Sequence, residues 1–139
     1  MESCIFCKII SNDVPAHKLY EDDHTLAFLD INPSNPGHTL VIPKDHFENL
    51  YTLPQETLCR LMITAQKVAI ALKQATEADG INVIINNEPP AGQIVFHAHF
   101  HIIPRHDTDS FPPWPHQAYI GDEAEKISEK IRVELRGKS

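Results

Sequence analysis

The chain has 139 residues, 42% hydrophobic and 22% charged, with a formal net charge of −7. That length suits one globular domain with a core of its own. The acidic balance argues against a nucleic-acid polymer as partner, though not against a small anionic ligand held by a few local donors, and no run of about 18 apolar residues suggests a membrane span.

The opening MESCIFCKII lacks the basic and apolar regions of a secretory signal, so a cytoplasmic location is expected. Residues 4–11 read as a short helix. Strands are expected around Leu19–Glu21 and Thr25–Asp30, with Asp22 and Asp23 at the turn between them. INPSNPGH (31–38) must be loop, and Thr39–Ile42 reads as a buried strand closed by Pro43. The clearest helix spans roughly 53–78, where Thr52 and Gln55 match a capping box and Pro54 suits the first turn. Leu58, Leu61, Met62, Ala65, Val68, Ala69 and Leu72 give it an apolar stripe, and Gly80 is placed to terminate it. Residues 81–86 form a strand, NNEPPAGQ a loop and 94–103 a second long strand. A final amphipathic helix at about 122–136 carries Ala124, Ile127, Ile131 and Leu135 on one side. Strands gathered around one long helix by short connections predict an α+β fold with an antiparallel sheet.

Three cysteines without a signal peptide argue against a disulfide framework. Cys59, in LCRLM, is expected to be a small buried hydrophobe. Cys4-x-x-Cys7 is open to a metal-binding, a redox or an incidental reading; its place before a short helix weakens the redox one.

IVFHAHFHIIP (94–104) puts histidines at every second position. On a strand of period two, Ile94, Phe96, Ala98, Phe100 and Ile102 share the core face, and Val95, His97, His99, His101 and Ile103 the other. Such a row fits a solvated sheet face, a zinc cluster or catalysis. Three rings along one straight strand strain a tetrahedral metal, whereas imidazole has a neutral, nucleophilic fraction at pH 7. The loop before it offers Asn87 and the pair Gly92–Gln93, able to present backbone N–H groups and an amide to a phosphate oxygen.

HAHFHII resembles the H-φ-H-φ-H-φ-φ signature of the histidine triad (HIT) nucleotide-binding proteins. FLDINPSNPGHTLVIPKDH resembles the family's other hallmark block, and CIFCKII its amino terminus, so the likeness runs over about residues 4–105. The resemblance implies one HIT-like domain over 1–139, with the tail and last helix at 106–139. It implies a five-stranded antiparallel sheet with one long and shorter helices, and a homodimer whose sheets join into ten continuous strands. It further implies a hydrolase that removes AMP, or another purine nucleoside monophosphate, from a phosphoramidate or related AMP–X through a nucleotidyl-histidine. A dinucleoside polyphosphate hydrolase and a regulatory nucleotide-binding module with little turnover are the alternatives.

Matched position by position, His99 is the nucleophile, and His101 and His38 hydrogen-bond near the phosphate. Asp30 matches the residue that holds the ribose hydroxyls, and Ile5, Phe6, Ile9, Phe28 and Ile31 match the walls around the base. Asn87, Gly92 and Gln93 match the phosphate loop, and no metal is required for attack. In one branch of the family a structural Zn²⁺ site would use Cys4, Cys7, His46 and His97. Two positions depart from the pattern. Ile94 stands where many relatives have a serine that helps the leaving group, and Glu88 with two prolines stands where glycine is common. His17, His24, His106 and His116 match nothing and are expected at the surface, while Trp114 fits either a clasp on its own subunit or a reach into a partner's site.

Overall fold

A computed structural model describes residues 3–111 and 114–137, and the chain divides into two compact units, Met1–Asp109 and Ser110–Ser139. In the first unit, β1 (Lys18–Glu21), β2 (Thr25–Leu29), β3 (Thr39–Pro43), β4 (Gly80–Ile85) and β5 (Phe100–Arg105) form an antiparallel sheet in the order β1-β2-β3-β5-β4. The β1–β2 turn is set by Asp22, whose Oδ1 accepts from the backbone of His24 (2.8 Å) and Thr25 (2.7 Å).

The central strands TLAFL and TLVIP are buried on both faces because each face carries its own helix. Ala27, Val41, Phe100 and Ile102 pack on Leu61, Ala65, Val68 and Leu72 of the long helix α2 (Gln55–Thr76). Leu26, Phe28, Leu40 and Ile42 pack on Phe6 and Ile9 of α1 (Ile5–Ile10). A buried hydrogen bond of 2.8 Å between Thr25 and Thr64 hydroxyls pins α2 to the sheet. Fully buried side chains such as Leu26, Ile42 and Ile102 each contribute about 2–3 kcal/mol of transfer free energy.

Several boundaries differ from the sequence expectation. No capping box forms, because Thr52 belongs to a 3₁₀ turn (Leu50–Thr52) and its hydroxyl donates to Asn49 O; Pro54 is the N-cap. The helix ends at Glu77, left-handed at φ 55°, and Gly80 is already in β4. The histidine-bearing strand starts only at Phe100, since residues 94–99 follow an irregular path anchored by Ala98 N–H to Phe47 O (2.7 Å). Ile94 (86% exposed) and Phe96 (43%) are therefore outside the core. Cys59 and Met62 are also exposed, because α2 carries a second row of apolar and small residues, Cys59, Met62, Ile63 and Ile70, opposite the buried one.

The second unit contains α3 (Glu123–Arg136), with acidic residues in its first turn and Ile127, Ile131 and Leu135 exposed along one side. Trp114 is exposed, and Pro112 and Pro113 of its segment lie outside the described residues. His17, His24 and His116 are exposed and His106 is half-buried. Among the described residues no helix is long and apolar enough to cross a membrane.

Gly37 precedes β3 with φ 98°, and a Cβ there would lie 3.0 Å from Thr76 Cγ2 and 3.3 Å from Pro104 Cγ. Gly37→Ala is expected to cost about 1–3 kcal/mol through left-handed strain and this crowding. A thermal melt unchanged from wild type would contradict that assignment.

Candidate active site

Strand alternation and register bring the titratable groups to the face of the sheet that carries α1. Leu40 pairs with His101, so His38, two residues before Leu40, is diagonal to that ring. Asp30 follows Phe28 at the same period, and its N–H donates to His38 O at 2.9 Å. Asp30 Oδ2 lies 3.6 Å from His38 Nε2, and Oδ1 accepts from Asn32 N–H.

Backbone groups determine the tautomer of each neutral ring. His99 Nδ1 is 2.7 Å from His97 O, an acceptor only, so it carries the proton and leaves a lone pair on Nε2. Ser34 N–H donates to His38 Nδ1 (3.0 Å), so neutral His38 is protonated on Nε2 and donates to His101 Nδ1 (2.9 Å). His101 is then left with an Nε2–H to offer outward. His97 Nε2–H donates to Pro43 O (2.8 Å), which frees its Nδ1 lone pair.

Burial lowers the pKa of His38, His97, His99 and His101, with His97 and His101 brought down to about 4. His99 and His38 lower His101 further, whereas the Asp30 carboxylate opposes the shift at His38, His99 and His101. At neutral pH the rings are therefore uncharged.

His99 and His101 open on a cleft of about 400 Å³. Ile5, Phe6, Ile9, Phe28 and Ile31 form its apolar wall, Asp30 lies at its rim, and Gly92 and Ile94 close the loop side. His38 backs His101 without lining the cleft. Asn87 and Gln93 point elsewhere. Asn87 Oδ1 accepts from Leu50 N–H (2.8 Å). Buried Gln93 accepts from Glu88 N–H (2.8 Å) and donates to Glu48 O (2.7 Å) and Val95 O (3.1 Å), which tethers the loop.

Glu88 sits at φ 74°, ψ 153°, a region nearly reserved for glycine that costs about 1–3 kcal/mol. The Gln93 tether and a Tyr51 O–H to Glu88 Oε2 bond (3.2 Å) hold it there. Asn86 was not singled out from the sequence. Ile84 pairs with His101, so alternation carries Asn86 to the histidine face and Asn87 to the other. The Asn86 amide nitrogen would lie 3.3 Å from a Cβ at Gly92, beside the cleft.

A second cluster lies behind the first. The ligand atoms of Cys4, Cys7, His46 and His97 all fall within 4.8 Å of one another. His97 Nδ1 is 3.5 Å from Cys4 Sγ and 3.6 Å from Cys7 Sγ, and His46 Nδ1 is 3.4 Å from Cys7 Sγ. In tetrahedral zinc a sulfur–nitrogen edge is about 3.6 Å, so the donor set fits in both chemistry and size. Burial, and then the Cys4 thiol, push the Cys7 thiol up. Asp30, His38 and His101 are equally close together, but Ser34 N–H occupies His38 Nδ1 and keeps the proton on Nε2, which suits a hydrogen-bond chain rather than a metal.

The HIT domain family model matches residues 11–108. A Streptococcus mutans protein of known crystal structure is 45% identical with a TM-score of 0.92, over 97% of this chain and 87% of that one. The adenosine 5′-monophosphoramidase of Saccharomyces cerevisiae is 41% identical over 137 residues, 97% of this chain and 84% of that protein. A zinc-bound histidine triad protein from Mycobacterium smegmatis is 38% identical with a TM-score of 0.75, over 99% of both chains.

Because His101 is lowered from 6.5 to about 4 in the fold, the unfolded chain binds the extra proton between those values. Its contribution is present above pH 6.5 and lost as pH falls towards 4, on the order of 3 kcal/mol when complete. The melting temperature is therefore expected to fall between pH 6.5 and 5, with a shallower slope in His101→Gln. An equal slope in that variant would contradict the assignment.

Proposed function

The chain belongs to the HIT domain family, and from that membership we propose a nucleotidyl hydrolase that releases AMP, or a related purine nucleotide, from phosphoramidate-type AMP–X. The observation that carries this reading is the His99 Nδ1–H to His97 O bond, which leaves the Nε2 lone pair of a buried ring at the cleft. The named activity of the yeast relative supports it.

In this mechanism His99 Nε2 attacks the α-phosphorus, and the P–X bond breaks with its electron pair going to X. Water then attacks the phosphorus of the nucleotidyl-histidine, which returns His99 and releases AMP. His101 Nε2–H, the Asn86 amide and the backbone at Gly92 meet charge on the phosphoryl oxygens. Asp30 accepts from the ribose hydroxyls, and Ile5, Phe6, Ile9, Phe28 and Ile31 enclose the base. His38 holds the His101 tautomer, while Asn87 and Gln93 support the site by holding its loop. Ile94 supplies no hydroxyl, so X–H takes its proton from water or the histidine chain. A regulatory role with little turnover draws on the same feature.

Cys4, Cys7, His46 and His97 would hold one zinc ion, which contributes folding energy when bound and makes no bond to the reacting atoms. The zinc-bound relative supports this. Two copies would join through β4, an edge strand, beside the exposed Met62, Ile63, Ile70 and Val83. The reading takes residues 1–139 as a single HIT domain, and three free cysteines suit a reducing cytoplasm.

Incubation with an AMP phosphoramidate followed by mass analysis is expected to trap one AMP on His99. His99→Ala is expected to abolish the adduct and lower turnover on the order of 10³-fold or more. AMP binding with neither adduct nor turnover would favour the regulatory role instead.

A further inference from the structure

Resting on the zinc reading above, we infer that the metal centre positions the attacking ring. Cys4, Cys7 and His46 act as positioning residues for His99, through His97 and Phe6.

The first route is a single residue. His97 offers Nδ1 to the cysteine cluster, and its own carbonyl accepts the His99 Nδ1–H at 2.7 Å. Its ring is fully buried and its Nε2–H is held by Pro43 O, which leaves Nδ1 as the ring atom the cluster can anchor. Tying Nδ1 to an ion therefore fixes the peptide that decides which nitrogen of His99 is free.

The second route is packing. α1 has six residues, too few to persist without tertiary support. Cys4 caps it and Cys7 lies in its first turn, so ligation fastens the end that carries Phe6. The Phe6 ring meets His99 edge-on at 5.1 Å and 90°, and meets His97 at 5.8 Å. His46 joins from a third segment, where neighbouring Phe47 O accepts Ala98 N–H between the two histidines. All the ligand-bearing segments therefore converge on the peptide and the ring that define the nucleophile. A zinc ion serving only to hold the fold together would not move the His99 tautomer.

His46→Ala is the sharpest variant, because its side chain touches Cys7 and His97 but neither Phe6 nor His99. The full-length protein would be assayed for zinc content, ¹⁵N-NMR tautomer of His99, single-turnover AMP transfer to His99 and AMP affinity. The expected result is loss of zinc, a mixed His99 tautomer, and transfer slowed about tenfold or more, a larger factor than the loss of AMP affinity. His46→Cys, which supplies another zinc ligand, should restore zinc, tautomer and rate together. If His46→Ala does not fold, chelator-stripped wild type read by the same NMR experiment replaces it. One zinc per chain in wild type with tautomer and rate unchanged on its removal overturns the coupling alone. A wild-type protein that binds no zinc yet keeps the single tautomer overturns the metal reading beneath it. AMP transfer to another residue overturns the proposed nucleophile.

Discussion

The hydrogen bond from His99 Nδ1–H to the carbonyl of His97 is the constraint on which the site depends. A free imidazole in water exchanges its proton between two nitrogens and turns its ring. A ring buried as His99 is has one fixed partner, the His97 carbonyl, and because that partner can only accept, the proton stays on Nδ1 and the lone pair on Nε2. Similar backbone contacts govern the rest: Ser34 N–H at His38 and Pro43 O at His97. The main chain thus decides which atoms of these side chains are available.

That control requires the sheet to place main chain and side chains together. The β3–β5 register puts His38 diagonal to His101, and the β2–β3 pairing brings Asp30 beside His38. The irregular path through 94–99 lets His97 turn to the cysteines while His99 and His101 stay at the cleft. A regular strand through 94–103 would hold all three rings in one row and keep His97 away from Cys4, Cys7 and His46.

Much of this was legible in the residues. The α2 stripe, the central strands, the histidine spacing and the Cys4–Cys7 pair each carry a local physical signal. What was not legible depends on partners distant in sequence. Strand period alone does not reveal that Phe47 captures Ala98 and delays β5 until Phe100. Choosing between Asn86 and Asn87 requires the β4–β5 register, since a shift of one residue reverses the face. Cys59 is exposed rather than buried because α2 has an outward apolar row as well as an inward one, and composition alone does not say which row a residue joins. The strained backbone at Glu88 is held by Gln93 and Tyr51, a tether that composition does not announce.

Neutron diffraction from deuterated crystals near pH 7 tests the central claim most directly, because it locates the proton on each ring. The account predicts deuterium on Nδ1 of His99 and on Nε2 of His38, His97 and His101. Deuterium on Nε2 of His99 would leave the ring without a lone pair at the cleft and contradict the account.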